Sequence, residues 1–252
     1  VTAGSGKFRH SRRRSSADPG VPSKKLAGLL RGRRAVLFDF DGVLADSEEY
    51  FFRSYDAAFK LFGHSLDRKE YWRYWTNIGT GIDGEVRRHG LKLGPADKRL
   101  ISTRRAALYK RFILSGKIRF IEDSFRTIPL FKKMGLKAII ASNSDPADLR
   151  ALFRVHRKKR PVPIVGRNPG LRPKPSPDIF LSAAARLGVS PGECLVIEDA
   201  LKGLKAARTA GMACAVIRNR HNKGIDFGKA DIIFGSYGSF LAATKAARRS
   251  DS

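Results

Sequence analysis

Ala35-Val36-Leu37-Phe38-Asp39-Phe40-Asp41-Gly42-Val43 is the stretch whose reading decides the fold. Its apolar opening is too short and too continuous for the face of a surface helix, and reads as a strand buried on both sides. Asp39 and Asp41 follow at once, at the carboxyl end of that strand, where open α/β sheets bind their ligands. Alternation along an extended chain points both aspartates to one side, and Gly42 lets the chain turn sharply. Paired carboxylates at such an edge can hold a cation and divide the work of nucleophile and acid/base. A turn or helix cap after a strand is the plain alternative for the pair taken alone.

Working outward, further short apolar runs recur: KAIIAS at 137–142, VPIVG at 162–166, CLVIED at 194–199, AVIR at 215–218 and DIIFG at 231–235. Helical punctuation fills the gaps between them. Ser176 is a plausible N-cap, with Pro177 at the first helical position and Gly188 past the end, and Gly211 closes the segment 200–210 in the same way. Strands alternating with helices imply an α/β fold with a doubly wound parallel sheet, Rossmann-like in plan. Over residues 48–120 the strand signals vanish and helical periodicity takes over, as in YFFRSYDAAFKLFG and ADKRLISTRRAALYKRFI. That is too long for one crossover and predicts an inserted helical cap. The expected division is a basic tail over 1–32, a catalytic core over 33–47 plus 121–245, the cap over 48–120, and a C-terminal tail over 246–252.

Three further groups stand at predicted strand ends in the same order: Ser142-Asn143-Ser144, Lys174 within Arg172-Pro173-Lys174-Pro175, and Glu198-Asp199. Singly, each reads as well as a turn hydroxyl or an exposed charge. Together they would surround one point with a hydroxyl, a cation and more acidic ligands. Such a set suits a phosphoryl group bound with Mg2+, whose octahedral shell favours oxygen.

DFDGVLADSE, SNS, KPSPDIF and EDALKGLKAA resemble, in order and spacing, the four motifs of the haloacid dehalogenase-like superfamily, and the resemblance spans residues 35 to 240. The helical insert is similar to the cap of the subgroup containing β-phosphoglucomutase and phosphoglycolate phosphatase. The resemblance implies Asp39 as nucleophile and Asp41 as acid/base, working through an aspartyl-phosphate. It implies Ser142, Asn143 and Lys174 as the phosphate-binding group. For Mg2+ it implies Asp39, Asp41 through its backbone carbonyl, and Asp199, with Glu198 close by or in the outer shell. The expected activity is a magnesium-dependent phosphatase acting on a small phosphorylated metabolite. Dehalogenases of this superfamily lack the second aspartate, having no alkoxide to protonate, so Asp41 favours phosphate esters. Two departures count against a phosphosugar mutase: Phe51 replaces the histidine of a DxxEYH pattern, and Ile82 stands where a cap-loop arginine aligns.

The charge leaves a second class of function open. Lys and Arg number 50 against 23 Asp and Glu, a net +27, and residues 1–34 hold ten basic residues against Asp18 alone. A dense run lies at Arg157-Lys158-Lys159-Arg160. A non-catalytic, polyanion- or RNA-binding member of the fold is therefore the alternative to an enzyme. The fragment Gly4-Ser5-Gly6-Lys7 lacks the preceding strand and the hydroxyl of a phosphate-binding loop. No apolar run approaches the roughly 20 residues that span a bilayer, so a cytoplasmic monomer without a membrane partner is expected. Cys194 and Cys214 sit in strand-like runs and are expected to be buried thiols. The five histidines show no ligand spacing. Tyr71, Trp72, Tyr74 and Trp75 read as core packing of a cap helix, with a stacking platform as the alternative.

Overall fold

The computed structural model describes residues 20–249. The chain runs α1 (Gly20–Leu30), β1 (Ala35–Phe38), α2 (Glu48–Phe59), then α3 (Arg68–Glu70), which passes into a π-helix over Tyr71–Ile78. There follow α4 (Gly81–Arg88), α5 (Pro95–Leu114), α6 (Glu122–Phe125) and α7 (Thr127–Lys133). Strands and helices then alternate: β2 (Lys137–Ala141), α8 (Pro146–Val155), β3 (Ile164–Val165), α9 (Asp178–Leu187), β4 (Cys194–Glu198), α10 (Leu201–Thr209), β5 (Ala213–Ile217), β6 (Ile232–Phe234) and α11 (Tyr237–Arg249).

The six strands form one sheet in the order β3-β2-β1-β4-β5-β6, and every pairing is parallel. Phe38 lies beside Ile140 of β2 and Ile197 of β4, so the carboxyl ends of three central strands finish level with one another. Because the chain winds outward from β1 in both directions, this edge is the topological switch point. All six apolar runs of the sequence became strands: five are shortened, and β5 instead begins earlier, at Ala213, and ends at Ile217.

Two apolar clusters cover the two faces of the sheet, and alternate residues of β1 serve them: Val36 and Phe38 one, Ala35 and Leu37 the other. The residues between β1 and β2 are helical and carry a third cluster built on Phe52, Phe59, Leu66, Tyr71, Trp75 and Ile101. Tyr109 and Ile113 of α5 belong instead to the sheet cluster, tying the insert to the core.

At both ends helices run into the stretches read as tails. The basic tail expected over 1–32 is helical from Gly20 to Leu30, with Leu26 fully buried, and α1 lies against α11. The Ser, Lys and Pro content of GVPSKKLAGLL hides a short apolar stripe that only α11 reveals. Residues 1–19, including Gly4-Ser5-Gly6-Lys7, lie outside the described residues. At the other end α11 runs on to Arg249 with Ala247 buried, past the tail boundary expected at 246. Leu26→Ala should therefore destabilise the protein by roughly 2–5 kcal/mol, as for other buried leucines; urea denaturation would measure it. An unchanged midpoint would mean that α1 contributes no core.

Candidate active site

The site grows from the ends of β1, β2 and β4. Asp39 leaves β1 with its backbone N–H still donating to Ile197 O, at 2.9 Å. The chain then doubles back, Gly42 N donating to Ala45 O (2.8 Å) and Ala45 N to Phe40 O (2.9 Å). Gly42 turns with φ +74°, and a Cβ there would lie 2.0 Å from Asp199 Oδ2. A glycine is thus required both by the left-handed backbone and by the approach of an acidic side chain.

Lys174 is the hub. It is 3 % exposed, and its ammonium donates to Asp39 Oδ1 (2.8 Å), Glu198 Oε1 (2.8 Å) and the carbonyl of Ala141 (2.9 Å), which uses all three of its protons. Burial alone would lower its pKa, but the two carboxylates more than offset this and hold it above the usual lysine value. Asn143 clamps the lysine's backbone from both sides, accepting from Lys174 N (2.8 Å) and donating to Lys174 O (3.3 Å). Its side chain therefore positions Lys174 while also lining the cavity.

Asp41 accepts from three hydroxyls: Ser47 (2.5 Å), Ser144 (2.5 Å) and Ser142 (3.2 Å). Both oxygens of Glu198 are committed, Oε1 to Lys174 and Oε2 to the N–H groups of Asp199 (2.9 Å) and Ala200 (3.1 Å). Glu198 is thereby an anchor of the site, while Asp199 Oδ2 accepts from Asn219 Nδ2, at 2.7 Å. Asn222 Nδ2 holds the Asp199 carbonyl (2.8 Å), and Tyr237 donates to the Gly42 carbonyl (2.5 Å).

The structure thus gathers Asp39, Asp41, Ser142, Asn143, Lys174, Glu198 and Asp199 at one sheet edge. Sequence reasoning missed Ser47, Asn219, Asn222 and Tyr237, whose roles depend on which loop ends meet. It also missed Glu48, which is buried and accepts from Thr76 Oγ1 at 2.9 Å. Glu48 lies inside the quoted DFDGVLADSE, so its place beside the two aspartates was the available signal.

Five buried carboxylates (Asp39, Asp41, Glu48, Glu198 and Asp199) face one buried cation, Lys174. Burial, only partly offset by Lys174 and reinforced by Glu198 and Asp41, pushes Asp39 up to about 7. Asp199 rises well above its ordinary value through burial and then through Glu198, Glu48 and Asp39. Glu48 is raised as well, chiefly by burial. A negative excess of this size, with ligand oxygens of Asp39, Glu198 and Asp199 within 4.8 Å of one another, fits a hard divalent cation.

Above this floor the helical insert closes a cavity of about 300 Å³. Tyr71 and Trp75 are buried cap residues and also line the cavity, so packing and lining coincide in the aromatic cluster. Phe51 stacks on Tyr109 with centroids 4.0 Å apart, and Ile82 packs into the cap cluster. Arg105, Arg167 and Lys202 also line the cavity. Elsewhere the basic run 157–160 is partly spent: Lys158 pairs with Glu122 (2.7 Å) and covers the rings of Phe120 and Phe125. Cys194 and Cys214 are buried free thiols, as expected.

Gly203 on α10 abuts Glu198 so closely that a Cβ would lie 1.8 Å from its Oε1. In an open helix Gly→Ala gains roughly 0.5–1 kcal/mol. Here Gly203→Ala should instead expel Glu198, loosen Lys174, and lower both the melting temperature and turnover. A stabilised and fully active variant would show that Glu198 does not hold the lysine.

A family profile described as haloacid dehalogenase-like hydrolase matches residues 33–211. Protein CbbY of Rhodobacter capsulatus is 30% identical over 208 residues, covering 79% of this chain and 91% of that protein. The crystal structure of CbbY from Rhodobacter sphaeroides in complex with phosphate superimposes with a TM-score of 0.70 at 27% identity, covering 82% of this chain and 95% of that one. A mutant of the same protein, in complex with xylulose-(1,5)bisphosphate, gives a TM-score of 0.69 at 26% identity, covering 82% and 95%. With the four motifs meeting at one sheet edge beneath a helical insert, the chain belongs to the haloacid dehalogenase-like hydrolases.

Proposed function

We propose that the protein is a magnesium-dependent phosphatase of small phosphorylated sugars, working through an aspartyl-phosphate on Asp39. The observation that carries this reading is the buried Lys174, bonded at once to Asp39 and Glu198 with Asp41 and its three hydroxyl donors alongside. Lys174 fixes Asp39 Oδ1, which leaves Oδ2 as the attacking atom. As Oδ2 forms its bond to phosphorus, the ester oxygen departs and takes a proton from Asp41. Asp41, now a carboxylate, accepts a proton from the water that cleaves the acyl phosphate and returns Asp39. One group acts as acid and then base, as a two-step displacement requires. Ser142 faces the phosphoryl oxygens, and the Lys174 charge, with its protons held by Asp39, Glu198 and the Ala141 carbonyl, screens Asp39 against them. Mg2+ would be held by Asp39, Asp199 and the Asp41 carbonyl, neutralising phosphoryl charge, with Glu198 outside the direct ligands.

The cavity indicates what else the substrate carries. Arg105 lies over the rings of Phe51 (5.7 Å) and Tyr55 (5.0 Å), and its Nε is buried without a hydrogen-bond partner. With Lys202 and Arg167, which line the same cavity, it offers cations suited to a second anionic group of the kind carried by the bisphosphate bound to the CbbY mutant. Phe51 and Ile82, packed into apolar surroundings, support hydrolysis over a phosphosugar mutase.

Release of inorganic phosphate from a panel of sugar mono- and bisphosphates, with Mg2+ and with chelator, tests the reading. Turnover that needs Mg2+ and favours bisphosphates is expected. Full activity after exhaustive chelation, or none across the panel, would overturn it. Arg105→Gln should lower kcat/KM for bisphosphates roughly ten- to a hundredfold, the scale of one charged hydrogen bond, mostly through KM. Equal losses for mono- and bisphosphates would place Arg105 outside recognition.

A further inference from the structure

A second constellation lies in the helical insert, away from the phosphoryl site. His64 follows the short turn after α2, Glu70 ends α3, and Glu85 and His89 stand one turn apart on and just after α4. The sequence separates them enough that the histidines look scattered. The fold brings His64 Nε2 to 2.9 Å and His89 Nε2 to 3.4 Å from the same atom, Glu85 Oε1. Glu70 Oε2 lies 2.9 Å from His89 Nε2 and also accepts from Arg88 Nε at 3.1 Å. Glu85 is 2 % exposed, and its other oxygen is occupied by Trp75 Nε1 (2.9 Å) and by Arg88.

We propose that His64, Glu85 and His89 form a three-donor binding site for a transition-metal dication such as Zn2+, which ties together the segments of the cap.

Two imidazole nitrogens converging on one carboxylate oxygen is more than a single hydrogen bond requires. The two gaps to Glu85 Oε1, 2.9 Å from His64 Nε2 and 3.4 Å from His89 Nε2, lie near the edge of about 3.3 Å that bond lengths near 2.0–2.1 Å give a tetrahedron, and the three donor atoms lie within 4.8 Å of one another. Glu85 is aimed at that point because Trp75 and Arg88 hold its far oxygen, as outer hydrogen bonds commonly orient a metal-binding carboxylate. With neutral imidazoles, two carboxylates against Arg88 leave one negative charge for a dication to neutralise. Donor type separates this site from the phosphoryl site: imidazole favours Zn2+, Ni2+ or Cu2+, whereas the all-oxygen set at Asp39 and Asp199 favours Mg2+. The consequence for the enzyme runs through Trp75, which donates to Glu85 and also lines the substrate cavity. A metal here would fix α4 against the π-helix and so hold one wall of the cavity in place.

The test is a Co2+ titration of the full chain saturated with Mg2+. Visible absorption typical of tetrahedral Co2+ should reach its limit at one equivalent and vanish when Zn2+ displaces it. It should be lost in His64→Gln and in His89→Gln, and retained in Asp199→Asn. Absence of the band from the wild type, its survival in both histidine variants, or its loss in Asp199→Asn would overturn the proposal. Should the histidine variants not fold, X-ray absorption at the zinc edge of the Zn2+-loaded, Mg2+-saturated wild type decides: scattering from two imidazoles supports the site, and an all-oxygen shell refutes it.

Discussion

Asp39→Asn should fold and bind Mg2+ more weakly, yet show no measurable turnover on any phosphate ester that the wild type cleaves. The amide is nearly isosteric, so the β1 end and its bond to Ile197 O survive. What disappears is the attacking carboxylate oxygen, and no other group at the site can replace it: Asp41 is bound by three hydroxyls, and Glu198 by Lys174 and two N–H groups. Loss of a covalent nucleophile costs several orders of magnitude, about as much as losing the whole of its catalytic group, because such residues act as a unit. Asp41→Asn should also be severe, but less so for aryl phosphates, whose leaving groups need little protonation. Steady-state phosphate release, with circular dichroism to verify folding, makes the comparison. An Asp39→Asn protein within tenfold of wild type would end the aspartyl-phosphate mechanism.

The difference between what was legible in the sequence and what was not lies in the range of the interactions. β1, β2, β4 and β5 are near-continuous apolar runs because a parallel sheet buries both faces, so their number and order show in one dimension. Asp39, Asp41 and Glu198-Asp199 were legible because each sits at or just past a strand end, and topology alone gathers strand ends, while Lys174, in the loop well past β3, was legible through KPSPDIF. Ser47, Asn219 and Tyr237 were not, since a loop serine or asparagine has many ordinary uses and only folding brings Tyr237 onto the Gly42 carbonyl. The bond of the Asn143 amide to the loop carrying Lys174 was hidden for the same reason. α1 was hidden because its buried Leu26 has neighbours of mixed character and its partner, α11, lies at the other end of the chain. In the cap, the spacing of Glu85 and His89 by one helical turn was the visible half of a cluster whose other half, His64 and Glu70, comes from separate segments.

Lys174→Met should be the most destabilising substitution in the site, and its effect should depend on pH. Methionine fills much the same volume, so the loss is electrical: Asp39 and Glu198 remain buried with their shared cation gone. Breaking a buried pair from one side costs roughly 3–5 kcal/mol. The sign of the pH dependence follows from Asp39, whose carboxyl is already raised from 3.8 to about 7 in the folded protein. A group that binds its proton more tightly when folded makes the folded state lose stability as pH rises from the unfolded value toward the folded one. In the wild type, Lys174 opposes that rise, and being itself held above the ordinary lysine value it stays charged throughout the window. Without it, Asp39 should titrate higher still, so the loss of stability should steepen and extend above neutrality. In metal-free protein, the gap between Lys174→Met and wild type should therefore be small at pH 5, where Asp39 is protonated in both, and should widen by pH 8. Saturating Mg2+ should narrow it at pH 8, since the ion binds the ionised carboxylate and supplies part of the missing positive charge. Chemical denaturation at the two pH values, with and without Mg2+, reads all four quantities. A penalty equal at both pH values would mean that Lys174 supports the fold by packing alone.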